Sequence, residues 1–106
     1  DSRVPVELVF DQGLGDVFSV RLAGNIASMK AIASMEFACQ YLGAKLIVVL
    51  GHTKCGGVMG ACDGVEAHNL DAIFTDIRPA IALETSTKEN RSSKNPQFLN
   101  NVLHLN

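Results

Sequence analysis

Lys45-Leu46-Ile47-Val48-Val49-Leu50-Gly51-His52-Thr53-Lys54-Cys55-Gly56-Gly57 is the stretch that decides the fold. Its first half is an apolar, β-branched run without polar alternation, the pattern of a strand covered on both faces, and such strands belong to parallel sheets packed under helices. Its second half is a glycine turn that carries a histidine and a cysteine. In α/β proteins ligands bind at the carboxyl end of a parallel strand, so His52 and Cys55 place an imidazole and a thiol where a ligand is expected. Either residue alone is more often structural, the buried thiol above all. Together at one strand end they read as two ligands of a metal site, with Gly56 and Gly57 leaving N–H groups free at the start of the next helix.

Outward from this stretch the elements alternate. Ser28 to Leu42 mixes Met29, Ile32, Ala33, Met35, Phe37, Cys39 and Leu42 with small residues and stops at Gly43, which predicts a helix with a glycine C-cap. Before it, Val17 to Leu22 is a compact β-branched and aromatic run broken by Ala23-Gly24-Asn25, which predicts a strand. Strand, helix and strand joined this tightly make a right-handed βαβ unit. The expected fold class is therefore α/β, a parallel β-sheet core flanked by helices. A short helix is expected over Val4 to Phe10, stopped by Gly13 and Gly15. Beyond Cys55 the sequence predicts a helix ending at Asp63-Gly64 and an amphipathic helix over Asn69 to Leu83 with a kink at Pro79. A polar loop over Thr85 to Asn95 follows, then a last helix from about Pro96.

Composition narrows the function classes. A chain of 106 residues, 47% of them hydrophobic, buries well over half of its unfolded surface, so residues 1–106 are expected to form a single domain. A net charge of -2 with scattered lysines and arginines excludes nucleic acid as the primary partner. The longest apolar run, Leu46 to Leu50, is too short to span a bilayer. Cys39, Cys55 and Cys62 are odd in number and lack the dense spacing of a disulfide scaffold. Reduced or metal-bound thiols are expected, which favours the cytoplasm and leaves the periplasm open for a thiol held by metal. Gly13-Leu14-Gly15 fails the dinucleotide fingerprint because Phe18 stands at its third glycine. Gly51 to Gly56 has P-loop spacing, but Gly57 and Val58 replace its lysine and hydroxyl. His68 and His104 are expected at the surface, Cys39 and Cys62 in packing.

Asp1-Ser2-Arg3 supplies the remaining chemistry. As an isolated pair, Asp1 and Arg3 would be a surface salt bridge of little worth. Beside a metal, Arg3 would hold Asp1 ionised by charge-assisted hydrogen bonds, ready to bind the metal or accept a proton from its water.

Five blocks then resemble the β-class carbonic anhydrases in order and spacing over nearly the whole chain: Asp1-Ser2-Arg3-Val4-Pro5; Glu7 with Phe10; Gly15-Asp16-Val17-Phe18; Arg21-Leu22-Ala23-Gly24-Asn25; and Gly51-His52-Thr53-Lys54-Cys55-Gly56. Leu22 stands where the commoner family form has asparagine. The resemblance implies a β-carbonic-anhydrase-like sheet and zinc, with His52 and Cys55 as metal ligands and Asp1 as a further ligand in a closed form. It implies Asp1 and Arg3 as the catalytic dyad, the Gly56 N–H as the substrate-binding group, and Val4 with Phe10 or Phe18 as a water-excluding wall. The implied reaction is reversible, zinc-dependent hydration of carbon dioxide to bicarbonate and a proton, carried out by a homodimer or higher homo-oligomer.

The same resemblance places one more ligand cysteine two residues before Asp1, at the end of a central strand. Cys39, Cys55 and Cys62 do not take its place by spacing. Residues 1–106 are therefore expected to be an internal part of a longer protein, truncated at both ends, with unpaired backbone groups beside the missing strand. Two other readings stand beside the first. One is a carbonyl sulfide or carbon disulfide hydrolase of the same fold; the other is a non-catalytic regulatory or bicarbonate-sensing domain, as in a fusion to an anion transporter.

Overall fold

A computed structural model describes residues 1–106. Its helices follow the capping signals of the sequence. α1, Val6–Val9, is one turn entered from Pro5. α2, Met29–Tyr41, begins where the Ser28 hydroxyl accepts the Ala31 N–H at 3.3 Å. It ends at Gly43, whose φ of +76° lets the Ala44 N–H return to the Ala38 carbonyl at 3.1 Å. α3 is Gly56–Cys62, and α4 is Leu70–Leu83, with Pro79 inside it. α5, Pro96–Leu105, starts at Asn95, whose side-chain oxygen accepts the N–H groups of Gln97 and Phe98. A 3-10 turn over Ala23–Asn25 precedes α2.

The core lies between α3, α4 and α5. Cys55, Val58, Ala61, Phe74, Ile77, Ala80, Phe98 and Val102 form one buried cluster, contributed as stripes at three- and four-residue spacing. Gly60 permits the closest helix approach, since a Cβ there would stand 2.8 Å from the Phe74 ring. The 3-10 turn closes the end of this bundle, held against α3 and α4.

The expected parallel β-sheet does not form, and the α/β class gives way to a helical one. Val17 to Leu22 and Lys45 to Leu50 take no regular secondary structure, and neither joins a ladder. Leu46 and Val49 are 79% and 84% exposed as a result. The backbone makes 51 internal hydrogen bonds. A folded chain of this length makes roughly 70–75, and these two segments account for part of the shortfall. An apolar run demands cover on both faces but does not supply it; a ladder needs a second strand about 4.8 Å away, and residues 1–106 bring none alongside either segment. The helix between them, α2, packs on none of the other helices, so the βαβ unit has no sheet to fold back on.

Candidate metal centre

His52 and Cys55 occupy the turn between the 45–50 segment and α3. Lys54, between them, takes a left-handed φ of +56°, which reverses the chain within three residues. Cys55 is the residue before the first turn of α3 and is 4% exposed, so its thiol belongs to the end of the helical core. Asp1 arrives from a distant part of the sequence and places Oδ2 3.0 Å from His52 Nε2 and 3.1 Å from Cys55 Sγ. The ligand atoms of the three residues all lie within 4.8 Å of one another.

The histidine tautomer follows from its other contact. His52 Nδ1 lies 2.8 Å from the Thr53 carbonyl, which can only accept, so Nδ1 carries the proton and Nε2 turns a lone pair inward. Nε2 is buried and receives no hydrogen bond. Across from it stands a carboxylate oxygen, also an acceptor. Two acceptors at this separation, the imidazole nitrogen buried, require a cation or a shared proton between them. Imidazole, thiolate and carboxylate together are a zinc donor set, whose ligands around one tetrahedral ion stand roughly 3.3–3.8 Å apart. The observed 3.0 and 3.1 Å are slightly tighter and all three separations lie within 4.8 Å, so the residues fit a metal once their side chains adjust around it.

Asp1 is positioned by backbone groups. Its Oδ1 accepts the Arg3 N–H at 3.1 Å and the Ser2 hydroxyl at 3.3 Å, and its Oδ2 accepts the Gly24 N–H at 3.2 Å. The clamp expected from the Arg3 guanidinium is not made. The side chain facing the Asp1 carboxylate is His52, and Arg3 is exposed. Arg21 reaches this segment instead, donating from Nη2 to the Ser2 carbonyl at 2.9 Å and from Nε to the Asp1 carbonyl at 3.4 Å.

The other anticipated residues are spread out. Gly56 opens α3 with an N–H that no protein group accepts and with open space around its Cα. Gly57 instead meets the protein: a Cβ there would lie 3.0 Å from the Gly24 backbone. Phe10 and Phe18 are exposed, and Val4 is half-buried. His68 and His104 lie at the surface, as does Cys39, while Cys62 is half-buried. Burial, then the charge of Asp63, pushes the Cys62 thiol up to about 11, so it stays protonated at neutral pH and outside the metal cluster. The roles of Arg21, Gly24 and the Thr53 carbonyl went unassigned in the sequence. The block Arg21 to Asn25 was visible as a motif, but backbone donors and acceptors leave no residue-type signal.

A half-buried histidine and carboxylate and a buried cysteine, converging at one end of a helical core, define a candidate metal-binding protein. The sequence pattern of the carbonic anhydrase family matches residues 1–106, and the chain belongs to that family, in its β class. Carbonic anhydrase 2 of Mycobacterium tuberculosis is 52% identical over 61 residues, covering 58% of this chain and 30% of the relative. The carbonic anhydrase of Mycolicibacterium smegmatis is 47% identical over 74 residues, 70% of this chain and 36% of the relative. A carbon disulfide hydrolase of Acidithiobacillus thiooxidans is 35% identical over 72 residues, 62% of this chain and 33% of the relative. The chain spans about a third of the length of these curated relatives. No solved structure matches it.

Proposed function

We propose that this chain carries the zinc site of a β-class carbonic anhydrase and serves the reversible hydration of carbon dioxide to bicarbonate and a proton. The reading rests on the His52 Nε2 lone pair, buried without a donor and converging with Cys55 Sγ and Asp1 Oδ2 in a chain of this family. His52 and Cys55 would hold zinc, with Asp1 as a further ligand in a closed form. Zinc at such a site acidifies water toward neutrality and so supplies a nucleophile without a strong base.

The chain's own groups divide the remaining work. Cys55 must lose its proton to become a ligand, and Asp1 Oδ2 at 3.1 Å is the acceptor at hand. Once that proton has passed on to solvent, Asp1, with Oδ1 engaged by the Arg3 N–H and the Ser2 hydroxyl, would orient the attacking water through Oδ2. The Gly56 N–H, free of protein acceptors, serves an oxygen of the developing bicarbonate.

Carbon disulfide hydrolysis is the second reading, favoured by the likeness to the Acidithiobacillus enzyme and using the same residues. A homodimer or higher homo-oligomer is the assembly we expect, because the apolar 45–50 segment is left uncovered. No helix is long and apolar enough to cross a membrane.

Zinc content per chain, measured with carbon dioxide hydration and carbon disulfide hydrolysis on one preparation, tests the reading. One zinc per chain and a hydration rate that rises with pH are expected, both abolished by His52→Ala and by Cys55→Ser. A folded protein without zinc, or a His52→Ala variant at full rate, removes it; turnover of carbon disulfide alone selects the second reading.

A further inference from the structure

We propose that Arg21 is a positioning residue for Asp1, and that the segment Arg21 to Asn25 is the cradle that aims the Asp1 carboxylate at His52 and Cys55. The inference rests on the metal-site reading above and extends it to residues outside the donor set. Two features of one five-residue segment act on Asp1 at once. The Arg21 guanidinium holds two successive carbonyls, those of Asp1 and Ser2, and so fixes the backbone from which the carboxylate projects. Three residues later, the Gly24 N–H donates to the same Oδ2 that faces the imidazole and the thiol.

The Gly24 peptide is itself anchored. Its φ of +69° is open to glycine, and a Cβ there would come within 3.1 Å of Ile77 Cδ1. Its carbonyl accepts the Asn106 side-chain N–H at 3.1 Å. The turn around it is closed by Leu22 N–H to Asn25 Oδ1 at 3.3 Å and Asn25 N–H to the Leu22 carbonyl at 2.9 Å. Position is thus passed from Ile77 in the core of α4, through Gly24, to the carboxylate. Arg21 is exposed and contributes nothing to the buried cluster, so its removal tests aiming apart from core stability.

Cobalt(II) binding to the full chain, followed by its visible ligand-field bands and by chelator competition, provides the test. Arg21→Ala is expected to weaken cobalt binding by about 10–100-fold, the usual effect of losing a group that orients a ligand. Arg21→Lys, which keeps the charge but not the fork, is expected to fall in between. Because Arg21 acts through Asp1, the double variant Arg21→Ala/Asp1→Asn should bind no more weakly than Asp1→Asn alone. Additive losses, or an unchanged affinity in Arg21→Ala with unaltered circular dichroism, overturn the proposal. If the unaltered chain binds no cobalt, or His52→Ala binds it equally well, the metal reading fails, and amide exchange at Gly24 in the metal-free protein decides the positioning role. Faster exchange of that N–H in Arg21→Ala, matching Asp1→Ala, upholds it; an unchanged rate overturns it.

Discussion

Gly56 and Gly57 are neighbours in sequence but meet different surroundings. A methyl group on Gly57 would sit 3.0 Å from the nitrogen and Cα of Gly24, so the two backbones would have to part; at Gly56 nothing lies within 4 Å. Gly57→Ala should therefore cost ~1–3 kcal/mol of stability through overpacking, whereas Gly56→Ala should change it by less than about 1 kcal/mol, since alanine favours the helix. Urea unfolding midpoints of the two variants check this, and equal midpoints would show that the Gly57–Gly24 contact carries no strain. The sequence alone reads both glycines as giving a ligand access to the backbone, because spacing shows where side chains are missing and not what stands opposite. His52 and Cys55 were legible for the converse reason: both sit on one short turn, where local sequence decides which residues are near each other. Asp1 was a candidate from its pairing with Arg3, and the resemblance to a family motif gave it a place at the site. Its contacts to Gly24 and Arg21 span about twenty residues and involve main-chain atoms, which no residue pattern marks.

At the level of elements, the helices were legible because their ends are written in single residues: Ser28 and Gly43 for α2, Asn95 and Pro96 for α5. The segment Thr85 to Asn95 reads as a polar loop, and its fastening is visible only in the structure. Glu84, at the end of α4, is buried and accepts hydrogen bonds from Ser86, Thr87 and Asn101. It also pairs with Arg91 at 2.8 Å, whose guanidinium lies 4.7 Å over the Phe98 ring. The Ser86 hydrogen bond foremost, then those of Asn101 and Thr87, outweigh burial and hold the Glu84 carboxyl down at about 2, against an ordinary 4.5. A carboxylate whose folded pKa is depressed stabilises the fold above its unfolded pKa and loses that contribution as pH falls through the interval toward the folded value. Thermal stability should therefore decline between about pH 4.5 and 2 as this group protonates. Glu84→Gln should lower stability at neutral pH and flatten that part of the profile. A variant with the parental acid profile would show that other carboxylates govern it. The two expected strands fail at this same level, since an apolar run such as Leu46 to Leu50 specifies a preference for cover and does not specify that a partner strand comes alongside.

The whole molecule carries the consequence of that missing cover. Its radius of gyration is 15.1 Å and its extents are 45 × 27 × 23 Å, where a compact chain of this length has a radius near 13 Å. α2, which packs on none of the other helices, contributes to the excess. Phe37 and Tyr41 stack at 5.4 Å on α2, half and three-quarters exposed, and Leu46 and Val49 follow them into solvent. Backbone N–H and C=O groups of residues 45–50 make no hydrogen bond within the chain and lie beside this apolar surface, and unpaired backbone flanked by exposed apolar side chains invites pairing with another copy. The chain is therefore expected to associate with itself as its concentration rises. Val49→Lys places a charge where the folded chain is already solvated, so it should leave the helical circular dichroism unchanged while shifting the population toward monomer. Sedimentation velocity over a concentration series reads both species. If Val49→Lys associates as strongly as the parent, the contact runs through the Phe37–Tyr41 face of α2 and not through residues 45–50, because a lysine in the middle of a self-pairing segment opposes its own copy across the interface.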